Sequence, residues 1–210
     1  MQPYRTVAKA ATAEFVDRRS RFIGQIMPVH SEQQATEFIE TVKKTHWDAR
    51  HNVPAYIIKD GDIRRFSDDG EPQGTAGIPV LDVLQKQNLT DCVIVVTRYF
   101  GGILLGGGGL VRAYSHAASL AVEQAGILEM RPALQLQIHC NYTQYGWLTP
   151  LIAAHGGNVT DTQYTDEVTV YFMLDDEAYI LFCHQLTEYS AGDLQAEIIG
   201  KEYRAVPVIR

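Results

Sequence analysis

The sequence predicts an α+β protein built from two domains, and three observations support this fold class. Residues 1–132 carry 15 Lys and Arg against 15 Asp and Glu, whereas residues 133–210 carry 3 against 10. This charge asymmetry coincides with a break at MRPAL, residues 130–134. After the break, strand and helix patterns follow the order βαββαβ, which is typical of a ferredoxin-like domain. We therefore predict domains at 1–131 and 132–210.

The first domain begins with two strands and a helix. Residues 6–16 and 20–29 alternate apolar and polar side chains, as strands do, and the DRR between them fits a turn. Ser31 is the expected N-cap of a helix that carries Ala35, Phe38, Ile39 and Val42 at helical spacing. Residues 51–59 predict a third strand, in which Pro54 favours an edge position or a bulge.

The remaining elements follow from apolar runs and turn residues. Residues 60–77 predict a hairpin and loop, and Val80–Leu84 belong to a short helix after Pro79. Cys92–Val96 predict a strand buried on both faces, and residues 109–124 a helix that ends at Gly126. In the second domain we predict strands at 134–142, 158–166, 167–175 and 194–203, and helices at 143–156 and 177–189. Pro150 should end or kink the first of these helices.

Composition excludes several classes of protein. The chain is 46% hydrophobic and 20% charged, and no apolar stretch approaches the roughly 20 residues that span a bilayer. The first residues lack a continuous apolar segment, so we expect no secretory signal and no membrane association. Three scattered cysteines without C-x-x-C spacing suit a reducing cytoplasm. We expect a cytoplasmic protein with neither metal nor cofactor, and the acidic second domain argues against duplex binding there.

A glycine run is the most unusual feature of the sequence. RYFGGILLGGGGLVRAY, residues 98–114, holds six of the 17 glycines: Gly101, Gly102, Gly106, Gly107, Gly108 and Gly109. Such a turn between a strand and a helix can aim backbone N–H groups at a phosphate, and Arg98 and Arg112 would add positive charge. Neither nucleotide-loop fingerprint is met. Three interpretations of the glycine run therefore stay open: close packing of the backbone, binding of an anionic ligand, and a surface for a macromolecule.

An acidic turn and a histidine are the other candidate site residues. Asp68, Asp69, Gly70 and Glu71 could bind a hard cation, but the same residues are good turn formers, and their carboxylates could pair with Arg98. His51 could assist proton transfer if a carboxylate of this turn lies within reach. Tyr99, Phe100 and Tyr114 lie beside arginines and could stack on bases, although we expect a core role for at least one of them.

Three stretches together resemble the IMPACT family: ARHNVPAYII, FSDDGEPQGTAGIPVLDVL and VIVVTRYFGGILLGGGGLVRAY. The resemblance covers the chain to about residue 125, and the second part is similar to the small C-terminal domain of bacterial members. It implies a ribosomal-protein domain-2-like first domain with a left-handed βαβ crossover, and a second domain like domain V of elongation factor G. Val53 stands where many members have a cysteine, and Gly107 and Gly108 where members often have a threonine.

The resemblance also implies a function. Eukaryotic members act as translational regulators, so we expect a binding or regulatory protein linked to translation, acting on RNA, the ribosome or a protein partner. The alternative is an enzyme on a small phosphorylated or nucleotide substrate, in which the glycine loop holds phosphate and Asp68 or Asp69 holds Mg²⁺. A pure interaction module that uses the second domain's sheet edges is a third possibility. The sequence does not decide the oligomeric state.

Overall fold

The computed structural model describes residues 1–208 and contains two compact units. One unit comprises Tyr4–Glu129 with Pro207 and Val208, and the other comprises Met1–Pro3 with Met130–Val206. The predicted class, α+β with two domains, is confirmed. The strands are β1 (Tyr4–Val7), β2 (Ala11–Asp17), β3 (Ser20–Pro28), β4 (His51–Ile58), β5 (Ile63–Phe66), β6 (Cys92–Tyr99), β7 (Ile127–Cys140), β8 (Asn158–Tyr164), β9 (Val168–Asp175) and β10 (Glu197–Pro207). The helices are α1 (Glu32–Thr45), α2 (Gly77–Lys86), α3 (Gly107–Ala125), α4 (Tyr142–Ala154) and α5 (Tyr179–Ser190).

The first unit is a five-stranded antiparallel sheet between two helical layers. Its strand order is β2-β3-β6-β4-β5, and β3 and β4 both run antiparallel to β6. They are therefore parallel to each other, and α1 makes the crossover between them. Side chains of α2 and α3 pack on one face of the sheet and those of α1 on the other. In β6, Cys92, Ile94 and Val96 face the first layer, while Val93 and Val95 face the second, as expected for a strand buried on both faces.

One end of this sheet collects the candidate site residues. The antiparallel register places Arg21 of β3 opposite Tyr99 of β6, and His51 of β4 opposite Arg98. The starts of β3 and β4 therefore flank the end of β6, and α3 begins shortly after β6 ends. We call this the site end of the sheet. The opposite end carries the start of α1, whose N-cap is Ser31 as predicted: its side chain accepts a hydrogen bond from Gln34 N–H.

Several element boundaries differ from the sequence prediction. The expected strand 6–16 is split into β1 and β2. Helix α2 starts at Gly77, which puts Pro79 within its first turn, where a missing N–H costs nothing. Strand β6 continues to Tyr99, and α3 begins at Gly107, so three glycines of the run are helical. Gly126 ends α3 as predicted, with a φ of +71°.

Two prolines behave differently from the expectation. Strand β4 lies inside the sheet, so the prediction of an edge strand is wrong. The Pro54 carbonyl accepts a hydrogen bond from Ser67 N–H, just beyond the last residue of β5. The carbonyl and the nitrogen of one strand residue point to the same side, so the Pro54 nitrogen points past the end of β5, where the sheet needs no hydrogen bond from it. Helix α4 continues through Pro150 to Ala154, so the expected end there is also wrong.

The second unit has the predicted ferredoxin-like arrangement. In its sheet β9 lies between β7 and β8, and β10 also pairs with β7; the pairs β7–β9 and β8–β9 are antiparallel. Strand β7 passes without interruption through the segment where we expected a break, because the extended φ of a strand is compatible with Pro132. A core that includes Ile138, Phe172 and Phe182 joins the sheet to α4 and α5. Among residues 1–208, no helix is long and apolar enough to cross a membrane.

Candidate functional site

A cavity of about 330 Å³ opens at the site end of the first unit's sheet. Its walls come from the start of β4, the acidic turn, the end of β6 and the loop into α3. The lining residues are Arg50, His51, Glu71, Pro72, Arg98, Phe100, Leu104, Leu105, Gly106, Gly107 and Leu110. The structure therefore brings four predicted elements to one concave surface: His51, the acidic turn, Arg98 and the glycine loop.

Glu71 is the centre of the polar wall. Its Oε1 accepts a hydrogen bond from Arg98 Nη1 at 2.6 Å and another from the Tyr114 hydroxyl at 2.7 Å. The side chains of Glu71 and Arg98 are only 4% and 6% exposed. Burial, the charge of Glu71 and its hydrogen bond raise the pKa of Tyr114, so this tyrosine acts only as a neutral donor. The contact between Glu71 and Arg98 is the pairing of the acidic turn with Arg98 that the sequence suggested.

His51 is held in a defined orientation beside Glu71. Its Nδ1 lies 2.8 Å from the carbonyl oxygen of Asp69. Because a carbonyl only accepts, Nδ1 must carry the hydrogen, and the neutral ring leaves the lone pair on Nε2. Nε2 lies 3.8 Å from Glu71 Oε1, too far for a hydrogen bond. The Nε2 edge can therefore accept a hydrogen bond from a ligand or take up a proton.

Arg98 has hydrogen-bonding capacity beyond its contact with Glu71. It is 5% exposed, and its Nε has no hydrogen-bond partner among residues 1–208. Nη2 reaches Ser20 Oγ only at 3.5 Å. The guanidinium also lies 5.5 Å from the ring centroid of Phe22 and 5.4 Å from that of Phe100. A planar cation between two aromatic rings is rigidly placed, with a spare donor in a cavity wall.

The glycine run forms the start of α3 and the loop that leads to it. Gly106 is the N-cap with a φ of +74°, and no side chain caps the helix. The N–H groups of Gly107, Gly108 and Gly109 lie in the first turn, where an α-helix leaves its donors unsatisfied. Gly106 and Gly107 line the cavity. These amides and the helix dipole favour an anion at this wall.

The rest of the acidic turn is structural. Asp68 accepts from the N–H groups of Gly74, Ala76 and Gly77 and so caps α2. Burial would raise the pKa of Asp68, but these three donors outweigh it and lower the pKa below its usual value. Asp69 accepts from Asn52 N–H at 2.6 Å. Gly70, with a φ of +85°, lets the chain turn against the His51 ring.

Other predicted site residues lie away from the cavity. The Tyr99 hydroxyl donates to Asp48 at 3.0 Å and contacts His46 Nδ1 at the same distance, so Tyr99 is engaged outside the lining. Arg112 is exposed on α3 and is not a lining residue. Gly101 packs so closely on the Arg19 carbonyl that a Cβ would clash with it. The others outside the lining are Gly102, Gly108 and Gly109.

Sequence reasoning missed the apolar wall of the cavity. Phe100 was considered only as a stacking residue, and Pro72, Leu104, Leu105 and Leu110 were not considered. The available signal was ILL at 103–105, an apolar triplet between glycines that fits neither a strand nor a helix. Arg50 was missed because nothing in the sequence distinguishes it from other exposed arginines. Tyr114, which we considered for base stacking, is fully buried and cannot take that role.

The arrangement can bind an anion and exchange a proton, and it shows no metal centre. Within residues 1–208, no group of three His, Cys, Asp or Glu side chains is placed to hold a metal ion. The cavity offers two cationic side chains, Arg50 and Arg98, a free imidazole nitrogen and helix amides. The arginines and the helix amides are groups that bind phosphate oxygens in proteins, whereas the imidazole nitrogen can accept a hydrogen bond. The geometry thus supports phosphate recognition more directly than metal chemistry.

Comparison with known proteins identifies the family. Residues 18–122 match the family described as Impact N-terminal domain, and residues 138–193 match a domain of unknown function, DUF1949. A relative in Bacillus subtilis, "IMPACT family member YvyE", is 38% identical over 193 residues, which cover 91% of this chain and 89% of the relative. The chain belongs to the IMPACT family.

Other IMPACT family members extend the similarity. "IMPACT family member YigZ" of Escherichia coli is 34% identical over 85% of this chain and 89% of its own. "Protein IMPACT" of Rattus norvegicus is 32% identical over 53% of this chain but only 37% of its own length. A solved structure, "Crystal structure of an hypothetical protein", has a TM-score of 0.60 and 32% identity, covering 95% of this chain and 98% of that one. The eukaryotic similarity thus spans about half of this chain, whereas the bacterial similarity spans nearly all of it.

Proposed function

We propose that this IMPACT family protein is a translation-linked binding or regulatory protein that recognises RNA, free or within the ribosome, through the site end of its first domain. One observation carries the proposal: the cavity joins Arg98, Arg50 and the uncapped start of α3, which are groups that bind phosphate. The role in translation comes from the family resemblance. The shared Impact N-terminal domain supports the use of the first domain.

The charges around the cavity support an RNA partner. Arg18 and Arg19 form the turn before β3, and Arg50 precedes β4, so these cations lie on both sides of the end of β6. Arg112 adds a further exposed cation near the start of α3. Neutralising phosphates by Lys and Arg drives nucleic-acid binding through counterion release. The second domain, with 10 acidic residues after residue 132, is unsuited to that contact.

A binding measurement with two double variants tests the proposal. Arg50→Ala/Arg112→Ala removes two exposed cations at the site end, and Arg64→Ala/Arg65→Ala removes two exposed cations from β5, several residues along the sheet. Arg98 is left intact because its loss would leave Glu71 buried without a counter-charge. Ribosome and structured-RNA affinity is measured between about 50 and 200 mM salt, the range over which phosphate contacts weaken strongly.

We expect salt-sensitive binding in the wild type. The site-end variant should reduce the slope of log K against log salt by about 2, one for each lost phosphate contact, and the β5 variant should leave it unchanged. Binding that does not depend on salt, or equal losses in the two variants, would refute RNA recognition at this end of the domain.

An enzyme acting on a small phosphorylated substrate is the second candidate. The observation in its favour is His51, whose Nε2 is unprotonated in the neutral ring and faces Glu71 across 3.8 Å in a small cavity. The discriminating measurement is thermal unfolding with libraries of nucleotides and phosphate esters. A ligand at 100 times its dissociation constant should add about 2.7 kcal/mol to the free energy of unfolding. Absence of any stabilising compound would count against this candidate.

A further inference from the structure

We infer that the cavity receives a single unpaired nucleotide, with its phosphate at the start of α3 and its base against the apolar wall. This inference rests on the proposed RNA-binding function and specifies what is recognised. The cavity has a polar wall built by Arg98, Glu71 and His51, and an apolar wall to which Pro72, Phe100 and Leu104 contribute. A duplex keeps its bases stacked inside, so only an unpaired nucleotide presents phosphate and ring together.

The size of the cavity agrees with one nucleotide. At about 330 Å³ it lies at the lower end of the range of about 300–1,000 Å³ for small-molecule sites. A surface that only tracks a phosphate backbone needs no concave volume. The volume of this cavity is therefore accounted for by one group that leaves the strand and enters it.

The phosphate position is supported by two independent features. The first is the uncapped start of α3, which lines the cavity and where a Cβ at Gly106 would meet nothing within 4 Å. The second is Arg98, which is 5% exposed and whose Nε has no partner among the described residues. Arg98 also lines the cavity, so a guanidinium with one donor that no protein group accepts lies at its wall.

The base position is supported by apolar exposure at the mouth. Leu104 is 80% exposed and Phe100 42% exposed, although both line the cavity. Exposed apolar side chains that border a polar pocket mark a binding surface. Stacking on an aromatic ring tolerates every base, so this wall selects an unpaired base without reading its identity.

The test uses two variants that keep the fold. Gly107→Asp places a carboxylate in the first turn of α3, where it favours the helix but repels a phosphate, and the new Cβ meets only Thr75 Cγ2 at 3.8 Å. Its control is Gln33→Asp, which adds the same charge to the first turn of α1 at the opposite end of the sheet. Leu104→Ser removes the exposed apolar contact, and Ile180→Ser removes an equally exposed one from the second domain.

Fluorescence anisotropy is measured with a single-stranded oligoribonucleotide, the same sequence as a blunt duplex, and a free nucleoside monophosphate as competitor. We expect the single strand to bind at least about tenfold tighter than the duplex. Leu104→Ser should weaken single-strand binding about fivefold to tenfold, and Gly107→Asp at least about tenfold, with both controls unchanged. Peptide-level hydrogen exchange of the first domain at wild-type protection shows that its fold is kept.

The outcomes separate this inference from the proposed function. Equal affinity for the single strand and the duplex would overturn the inference of a single bound nucleotide and leave the proposed RNA binding intact. The same conclusion would follow if Gly107→Asp and Leu104→Ser did not change binding while Arg50→Ala/Arg112→Ala still reduced it. Binding of the free monophosphate without binding of any RNA would overturn the inference that the nucleotide belongs to an RNA strand, and with it the proposed function. Competition by the monophosphate against the bound single strand supports the inference.

Discussion

Replacing Glu71 by glutamine should strongly destabilise the first domain. The substitution keeps the size of the side chain and an oxygen that can accept from Arg98 and Tyr114. It removes only the negative charge. What remains is the Arg98 cation, whose side chain is 6% exposed, without a counter-charge in contact.

The expected loss of stability follows from the burial of both charged groups. Removing one partner of a buried ion pair costs about 3–5 kcal/mol, because the other charge stays desolvated. A domain is stable by about 5–15 kcal/mol, so Glu71→Gln should remove about a fifth or more of the stability of the first domain. The Glu14→Gln variant is the matched control. Glu14 also pairs with an arginine, Arg21, but these side chains are 54% and 50% exposed, so the cost should be about 0–1 kcal/mol.

The assay must resolve the two domains, because one melting temperature is not well defined for a two-domain chain. Native-state hydrogen exchange read by peptide gives separate opening free energies for β6 with α3 and for the second domain. Protection should fall in the first domain only. A loss below about 1 kcal/mol, equal to that of Glu14→Gln, would show that Arg98 and Glu71 are solvated like a surface pair and would refute the reasoning.

Three further predictions concern pH, a glycine and the thiols. Because the pKa of Asp68 is lowered in the folded state, its contribution is complete above its unfolded pKa of about 3.9 and is lost as pH falls through the lower folded value. The stability difference between wild type and Asp68→Asn, from urea unfolding at pH 7 to 3, should therefore be constant and then shrink below about pH 4; a difference that grows there contradicts this. Gly146→Ala should stabilise the second domain by about 0.5–1 kcal/mol, seen in calorimetry, since a Cβ there meets nothing within 4 Å and alanine is the better helix former. Burial and the nearby Asp91 charge raise the pKa of Cys92 to about 12, so maleimide should label the partly exposed Cys183 in the native protein and reach Cys92 only after unfolding; equal rates would contradict the burial.

The sequence predicts the elements of the fold where side chains alternate or recur regularly. It underestimates the length of β6, because the apolar run stops at Val96 and the next residues are polar. The strand continues because those polar residues find buried partners: Thr97 donates to Asn52 at 2.8 Å and Arg98 to Glu71. These partners are distant in sequence, so local pattern cannot reveal them. These buried polar residues at the end of β6 form part of the candidate site.

The helical glycines and Pro150 show tertiary context overriding local propensity. A run of glycine disfavours a helix by up to about 1 kcal/mol per residue relative to alanine, yet α3 begins at Gly107. Its buried face, which includes Ala113, Ala117 and Ala121, packs on the sheet and offsets that cost. Pro150 leaves the Gly146 carbonyl unpaired, but Gly146 is exposed, so water can hydrogen-bond to it.

The six glycines of the run turn out to serve different purposes. Gly101 allows the backbone to approach Arg19, whereas Gly102 and Gly106 adopt positive φ angles. Only Gly106 and Gly107 line the cavity, so the phosphate cradle suggested by the whole run is reduced to the beginning of α3.

The contact between Glu71 and Arg98 sets the strength of binding to expect at this site. An unpaired Arg98 would hold an anion tightly, but Glu71 already neutralises most of its field, and Nε is the donor left over. Affinity for a phosphate must then come chiefly from the amides of α3 and the exposed arginines at the rim. Those interactions are screened by salt, so binding should be reversible and sensitive to ionic strength. Glu71 thus stabilises a buried arginine at the cavity wall, and in the proposed function it would keep phosphate binding weak enough for the ligand to be released.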